Sequence, residues 1–349
     1  MPKVAVIIVN YNGLEYLSDL LSSLQKTNYP EDDWDIIMVD NDSTDDSVKY
    51  IKENYLKVKL LLEKENTGFA GGNNIGMEYA LKNNYDYVYL LNQDTEVTPD
   101  WLKEVVNLAE ADKTIGAVQS KLYLYSDKNR LNTVGNRIHF LGFGYGEASG
   151  AIDEGQYNAV REINYPSGAG VLLRASVLNI IGVFDGSMFM YMEDLDLGWR
   201  IWLAGFRCVM QPSSIVYHKY EFNRSMKQVY YFERNRLLTI FRNYKGLTLL
   251  FMIPAWIIME MGQLVFAAKN GYLGKKISSY FYFTDPQVWE RIGRHRCKLS
   301  KIRKVTDREM LKKFTGSILF QELNNPLLLY IANPIFTVYL KLLTFIVRW

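Results

Sequence analysis

Short apolar runs alternate with amphipathic stretches through the front of the chain. Val4–Val9 is a continuous apolar run of strand length, and Tyr16–Gln25 sets Leu17, Leu20, Leu21 and Leu24 on one helical face. The alternation continues with a strand at Ile36–Val39, a helix near Ser47–Asn54 and a strand at Val58–Leu62. A helix around Asn74–Lys82, a strand at Tyr87–Leu91 and a helix at Thr98–Ala111 follow. Strands separated by helices predict a mainly parallel, doubly wound α/β sheet, which takes ligands beyond the carboxyl ends of its strands. Those ends carry the polar motifs Asn10-Tyr11-Asn12-Gly13, Asp40-Asn41-Asp42-Ser43 and Asn92-Gln93-Asp94. Residues 112–165, rich in Gly, Asn and Tyr, read as loops and irregular strands over the sheet. Further strands are expected at Val171–Arg174, Arg207–Met210 and Ile215–Tyr217, with a helix around Leu195–Ala204.

The rear differs in kind. Leu247–Ala268 and Leu327–Val347 are long apolar stretches, and the first is long enough to cross a hydrocarbon core of roughly 30 Å. This divides the chain into an α/β domain over 1–245 and a helical, basic region over 246–349. Charge follows the same division. Residues 1–268 hold 25 Lys and Arg against 33 Asp and Glu, whereas 269–313 hold 13 against 4, so a near-neutral total of +2 hides an acidic front and a basic segment behind it. With 48% hydrophobic residues the chain is neither disordered nor low-complexity. Two cysteines cannot make a disulfide framework, and Val4–Val9 is too short for a secretory core, so a cytoplasmic setting is expected.

Four motifs carry chemistry. Asp40, at the end of the second buried strand, could accept a hydrogen bond from a pyrimidine imide; the plainer reading is capping, a task Ser43 or Thr44 can take for the next helix. Asn66–Asn74 is a glycine-containing loop opening a helix, able to bring backbone close to an anion, yet it matches neither the dinucleotide fingerprint nor the Walker loop. Asp94 projects just past a strand, where it could hold a hard divalent cation against a diphosphate, since Thr98-Pro99 suffices to start the following helix. Glu193-Asp194-Leu195-Asp196 crowds three carboxylates at a helix start; their repulsion raises at least one pKa, which suits a proton acceptor. His218 lies just past a strand at the same edge.

Taken in order, residues 6–13 (VIIVNYNG), 39–45 (VDNDSTD), 66–74 (NTGFAGGNN), 90–94 (LLNQD), 193–196 (EDLD) with Trp199-Arg200, and 216–218 (VYH) resemble the family 2 glycosyltransferases, especially rhamnosyltransferase-like enzymes. The likeness runs over about residues 4–245, including Tyr230–Arg236. It implies a GT-A-like nucleotide-diphospho-sugar fold and an inverting, metal-dependent transfer. By resemblance, Asp40 contacts the base while Asn10, Asn12 and Asn73 line the nucleotide pocket. Asp94 and His218 would hold Mg²⁺ or Mn²⁺, Asp194 would be the general base, and Glu193 would help to place the acceptor. Asn92 departs from the family's Asp-x-Asp pattern and removes one charge from the metal site. The donor implied is a dTDP- or UDP-linked sugar, and the acceptor a glycan or lipid-linked hydroxyl.

Two rivals are a sugar-phosphate nucleotidyltransferase, which needs a basic glycine-rich loop where this chain has Asn-Tyr-Asn-Gly, and a scaffold with a decayed site, which Asp94, Asp194 and His218 oppose. For the rear, a single crossing would put the basic segment outside, against the positive-inside tendency, and would sink Glu260 into lipid. Helices at an anionic, cytosolic membrane face are therefore expected, with packing or homodimerisation as a soluble appendage the alternative. The apolar flanks favour lipid over nucleic acid as the partner of the basic segment.

Overall fold

The computed structural model describes residues 1–220, 228–319 and 326–349. These fall into two compact units. The first comprises Met1–Asn136, Gly146–Ile201 and Phe206–Tyr220; the second comprises Arg137–Tyr145, Trp202–Gly205 and the chain from Glu221 onward.

The first unit is built on one mixed sheet. Its strands begin with β1 (Val4–Asn10), β2 (Trp34–Asp40), β3 (Lys59–Leu62), β4 (Tyr87–Leu91), β5 (Thr95–Val97), β6 (Ile115–Leu124) and β7 (Asp127–Thr133); β8 (Asn136–Ile138) and β9 (Gly144–Gly146) form a separate small pair that falls mostly in the second unit. Then come β10 (Arg161–Glu162), β11 (Gly170–Arg174) and β12 (Arg207–His218). The order is β10-β12-β6-β11-β4-β1-β2-β3, with β5 added to β12 and β7 to β6. β1 runs parallel to β2 and β4, β2 to β3, and β6 to β12, whereas β11 lies antiparallel between β4 and β6. Two reversals restore direction, so β1, β2, β3, β4, β6 and β12 all point their carboxyl ends the same way. The mainly parallel α/β fold is as expected.

Helices α1 (Leu14–Leu24), α2 (Ser47–Asn54), α3 (Gly68–Lys82), α4 (Trp101–Ala111), α5 (Ala175–Ile181) and α6 (Glu193–Leu203) complete the layers. The expected face of α1 is the buried one: Leu17, Leu20, Leu21 and Leu24 enter the core with Val4, Val6 and Ile8. Helix α3 approaches β1 closely because Gly72 and Gly76 lack side chains; a Cβ on them would stand 2.8 Å from Val9 and 2.3 Å from Ile7. These glycines thus serve helix–strand packing.

Several expectations need correction. Residues 112–165 do not merely loop over the sheet: β6 is one of its long inner strands. Its first eight residues are all buried, Gln119, Ser120 and Lys121 among them, so neither an alternating nor a continuous apolar pattern announces it. The strands expected at 207–210 and 215–217 are one strand, irregular between Gln211 and Ile215. Helix α3 starts at Gly68, α4 at Trp101 after Asp100, and α2 at Ser47 after Asp46, so Thr98, Ser43 and Thr44 do not cap.

The second unit is helical: α7 (Val229–Asn243), α8 (Gly246–Lys269), α9 (Leu273–Phe281), α10 (Pro286–Ile302), α11 (Asp307–Lys313) and α12 (Asn333–Ile346), the last entered through a π-helical turn at Leu328–Ala332. Capping marks the starts of two of these: the Asp285 side chain accepts from the Gln287 N–H before α10, and Thr306 with Glu309 forms a capping box on α11. Glu260, expected to burden an apolar stretch, is mostly buried. It pairs with Arg236 and with Lys276 at 2.8 Å, and accepts from Trp256 Nε1 at 3.0 Å and from the Tyr280 hydroxyl. Burial alone would raise its pKa, but Arg236 and Lys276 outweigh that and pull it down to about 2.

Candidate active site

The carboxyl ends of β1 and β2 are locked together by side chains. Asn10 is fully buried, and its amide nitrogen donates to Asp40 Oδ1 at 2.7 Å and Ser47 Oγ at 2.8 Å, with Ser43 Oγ beside it at 3.0 Å. The Ser43 N–H returns to Asp40 Oδ2 at 3.1 Å. Each Asp40 oxygen thereby takes one internal hydrogen bond and retains capacity for another. Asn12 holds a left-handed φ of 48° and accepts from the Thr44 N–H at 2.7 Å, so the two strand-end loops brace each other. Asn41 extends the brace to the glycine loop, accepting from Thr67 N–H at 2.9 Å and donating to Gly68 O at 3.1 Å. Asn73 is buried on α3, with its amide donating to Phe69 O one turn back at 2.9 Å.

Asp94 and His218 come together for a topological reason. β5 pairs antiparallel with β12 in the register Thr95↔His218, so the residue preceding β5 lands beside the end of β12. The Lys219 N–H bonds Asp94 O at 2.9 Å, and Asp94 Oδ1 lies 3.3 Å from His218 Nε2. Asn92 also reaches this nitrogen, with Nδ2 at 3.4 Å, while the other ring nitrogen, Nδ1, faces Asn132 Oδ1 at 3.0 Å. The Asn92 amide is thus a neighbour of the His218 ring. Gln93 turns the other way and binds Tyr11, its Oε1 accepting from the Tyr11 N–H at 3.0 Å, which joins the β4 end to the β1 end.

The carboxylate cluster resolves into different tasks. Asp196 is fully buried and ion-paired with Arg200 at 2.8 Å; Arg200 in turn donates to the carbonyls of Ile181 and Val183. It is a structural anchor, so three mutually repelling acids is the wrong picture. Glu193 and Asp194 remain. Burial, with Asp194 as a charged neighbour, pushes the Glu193 carboxyl well above the usual range, and its Oε2 has no hydrogen-bond partner among the described residues. Burial lifts Asp194 to about 6, against the opposing pull of N–H groups: Leu195 N donates to Oδ1 at 2.7 Å, and Gly168 N to Oδ2 at 3.4 Å. The segment before α6 is strained, with Phe189, Tyr191 and Met192 at φ of 65°, 66° and 73°. Such residues cost on the order of 1–3 kcal/mol each and cluster where geometry is functional. Phe189 O also accepts from Ala70 N–H at 3.0 Å, which docks this segment on the start of α3.

These groups share one edge of the sheet. Gly168 holds Asp194, and the adjoining Ala169 O accepts from Asn92 N–H at 3.3 Å, tying the acid to the strand end that bears Asp94 and His218. Asp94 Oδ1 and His218 Nε2 form a donor pair suited to a divalent cation. No group of three or more His, Cys, Asp and Glu gathers among the described residues, so substrate oxygens and water would complete such a shell. Sequence reasoning missed Asn132, the Gly168 N–H and Gln119, whose Oε1 accepts from Ser167 N–H at 2.8 Å. All three act through tertiary placement and carry no local motif.

A family model described as glycosyl transferase family 2 matches residues 5–195. Poly-β-1,6-N-acetyl-D-glucosamine synthase of Staphylococcus aureus is 28% identical over 214 residues, 60% of this chain and 48% of the synthase. The chain therefore spans about half the length of these curated relatives. The low-salt glycan biosynthesis hexosyltransferase Agl10 of Haloferax volcanii is 23% identical over 294 residues, 79% of this chain and 89% of that protein. Among solved structures, GalNAc-T7 with UDP, GalNAc and Mn²⁺ gives a TM-score of 0.57 at 16% identity, covering 69% of this chain and 48% of that one. The mannosyltransferase PcManGT from Pyrobaculum calidifontis, in complex with GDP-Man and Mn²⁺, gives 0.51 at 18% identity over 86% of each chain. At such identities the structural likeness is one of fold, and that fold is GT-A-like.

Proposed function

The chain belongs to glycosyl transferase family 2, and from that premise we propose that it moves a sugar from a nucleoside diphosphate to an acceptor hydroxyl with inversion at the anomeric carbon. The observation that carries the reading is a carboxyl lifted to about 6, Asp194, tied through Gly168 and Ala169 to the strand end bearing Asp94 and His218. An acid poised near neutral pH can take a proton in the transition state. The acceptor oxygen forms a bond to the anomeric carbon as its proton passes to Asp194. The bond from that carbon to the diphosphate oxygen breaks, and the leaving nucleoside diphosphate keeps the electron pair. Glu193, largely protonated in its buried setting, can donate a hydrogen bond to the acceptor.

Asp94 and His218 would hold Mg²⁺ or Mn²⁺, which when bound supplies positive charge beside the departing diphosphate. Their facing donors fit such an ion, and Asp40, Asn10, Asn12 and Asn73 would surround a pyrimidine nucleoside, dTDP or UDP, with Asp40 taking the base N–H. Two proteins of similar fold support the metal reading, since the structures of GalNAc-T7 and PcManGT both hold Mn²⁺.

An acceptor attached to lipid or polymer fits the second unit. Helices Gly246–Lys269 and Leu328–Ile346 are long and apolar enough to cross a membrane. We read them instead as lying at an anionic cytosolic face, because the buried ion pairs of Glu260 tether α8 within its own unit while Leu250, Ile257, Met261 and Val265 stay exposed.

The test is transfer or slow donor hydrolysis across a panel of nucleotide sugars with Mn²⁺. Asp194→Asn is expected to keep donor affinity and lose roughly 10²–10⁴-fold in turnover, the usual worth of a general base. In the wild type kcat should fall as pH drops below about 6, where Asp194 takes up a proton. Undiminished turnover in the variant would remove Asp194 from the mechanism.

A further inference from the structure

We propose that Asn132 is a positioning residue that fixes the His218 ring in the tautomer whose Nε2 lone pair can bind the divalent cation. The inference rests on the metal reading of Asp94 and His218 given above and goes beyond it.

Its basis is a bulge. β7 pairs with β6 as Thr133↔Leu122 and then Leu131↔Tyr123, so adjacent positions on β6 face positions two apart on β7. Asn132 is the extra residue. In a regular strand it would point away from both its neighbours, yet Leu131, Asn132 and Thr133 are all buried. Bulges break alternation and redirect a side chain, and they recur beside active sites. Here the side chain reaches past β6 to β12, where its Oδ1 meets His218 Nδ1 at 3.0 Å in a buried contact.

The chemistry follows from the donor inventory. An amide oxygen only accepts, so the Nδ1 facing it carries a proton, and in the neutral ring the lone pair is then at Nε2. The contact on the opposite side agrees: Asn92 offers an amide nitrogen, which only donates, to Nε2 at 3.4 Å. Two amides on opposite edges of the ring therefore select one tautomer. With Nε2 unprotonated, its lone pair and Asp94 Oδ1 face each other at 3.3 Å, an arrangement that repels unless a cation lies between them. Metal-bound histidines commonly donate their second N–H to such a partner, and losing that partner costs 10–100-fold in metal affinity.

The experiment has two readouts on the full chain. In ¹⁵N-histidine-labelled protein without metal, the three histidines give few resonances, and His218 should show the Nδ1–H pattern. An Nε2–H pattern in the wild type would overturn the proposal without any variant. Mn²⁺ binding, followed by the electron paramagnetic resonance of free Mn²⁺ in the presence of UDP, should weaken 10–100-fold in Asn132→Leu and stay within about threefold in Asn132→Asp, which keeps the acceptor. Unchanged Mn²⁺ affinity in a folded Asn132→Leu, or equal losses in both variants, would assign Asn132 to packing alone. A wild type that binds no Mn²⁺ would instead fail the metal reading itself.

Discussion

At the residue scale two acids in the first turn of α6 show how environment divides labour. Asp196 and Asp194 are two positions apart, yet one is neutralised by Arg200 and the other is left to titrate near pH 6. Glu193 carries the larger consequence for stability. Its folded form holds the proton well above the ordinary carboxylate range, so above about pH 4.5 the unfolded chain releases a proton that the folded chain retains. Stability therefore falls as pH rises, and Glu193→Gln removes that loss. The variant is expected to melt several degrees above the wild type at pH 8 and level with it at pH 4; a gap that does not widen with pH would contradict the buried, protonated state. These acids were visible in the sequence as a cluster, and the resemblance separated Asp194 from Glu193; the i,i+4 pairing of Asp196 with Arg200 went unread, and the Gly168 contact to Asp194 exists only in the fold. Asn132 was invisible for the same reason: a bulge has no signature in a single strand's residues.

At the scale of elements, the alternation of apolar runs and helical faces made β1, β2, β4 and α1 legible, since the strands are short continuous apolar runs and α1 buries one periodic face. β6 was not, because Gln119, Ser120 and Lys121 are buried in it with partners of their own; Ser120 Oγ hydrogen-bonds Tyr89 and Ser214 hydroxyls, each at 2.6 Å. The glycine loop 66–74 was read toward a ligand; Gly72 within it and Gly76 just beyond it also pack α3 closely on β1. That packing has a measurable consequence. Gly76→Ala gains helix propensity of about 1 kcal/mol, yet its methyl would stand 2.3 Å from the buried Ile7, and overpacking typically costs about 1–3 kcal/mol. The clash should win and lower the urea midpoint. The same change at Gly262, which has nothing within 4 Å, should raise helix stability. A stabilising Gly76→Ala would mean that α3 sits less tightly on β1 than described.

At the scale of the whole molecule, each unit poses its own question. Within the second unit, α8 and α12 pack side by side, with Tyr339 donating to Phe251 O at 2.6 Å and Trp349 Nε1 to Thr248 Oγ1 at 2.9 Å. Both still expose apolar rows, Ile257, Met261 and Val265 on one and Val338, Leu342 and Phe345 on the other. Exposed apolar faces of this extent are interaction surfaces, and the basic stretch 269–313 favours an anionic one. The chain should float with phosphatidylglycerol vesicles and do so less at high salt; Ile257→Glu with Val338→Glu should abolish flotation without unfolding the protein. Flotation that survives both changes would refute the assigned face. The first unit carries the central claim, that strand ends gathered along one sheet edge bind a nucleoside diphosphate with a divalent ion. It is tested most directly by thermal shift with UDP or dTDP, with and without Mn²⁺, on wild type and Asp94→Ala. A ligand at 100 times its Kd stabilises by about 2.7 kcal/mol, so the wild type should gain several degrees with nucleotide and Mn²⁺ together and Asp94→Ala should gain little. No gain with either nucleotide, or an equal gain in Asp94→Ala, would contradict it.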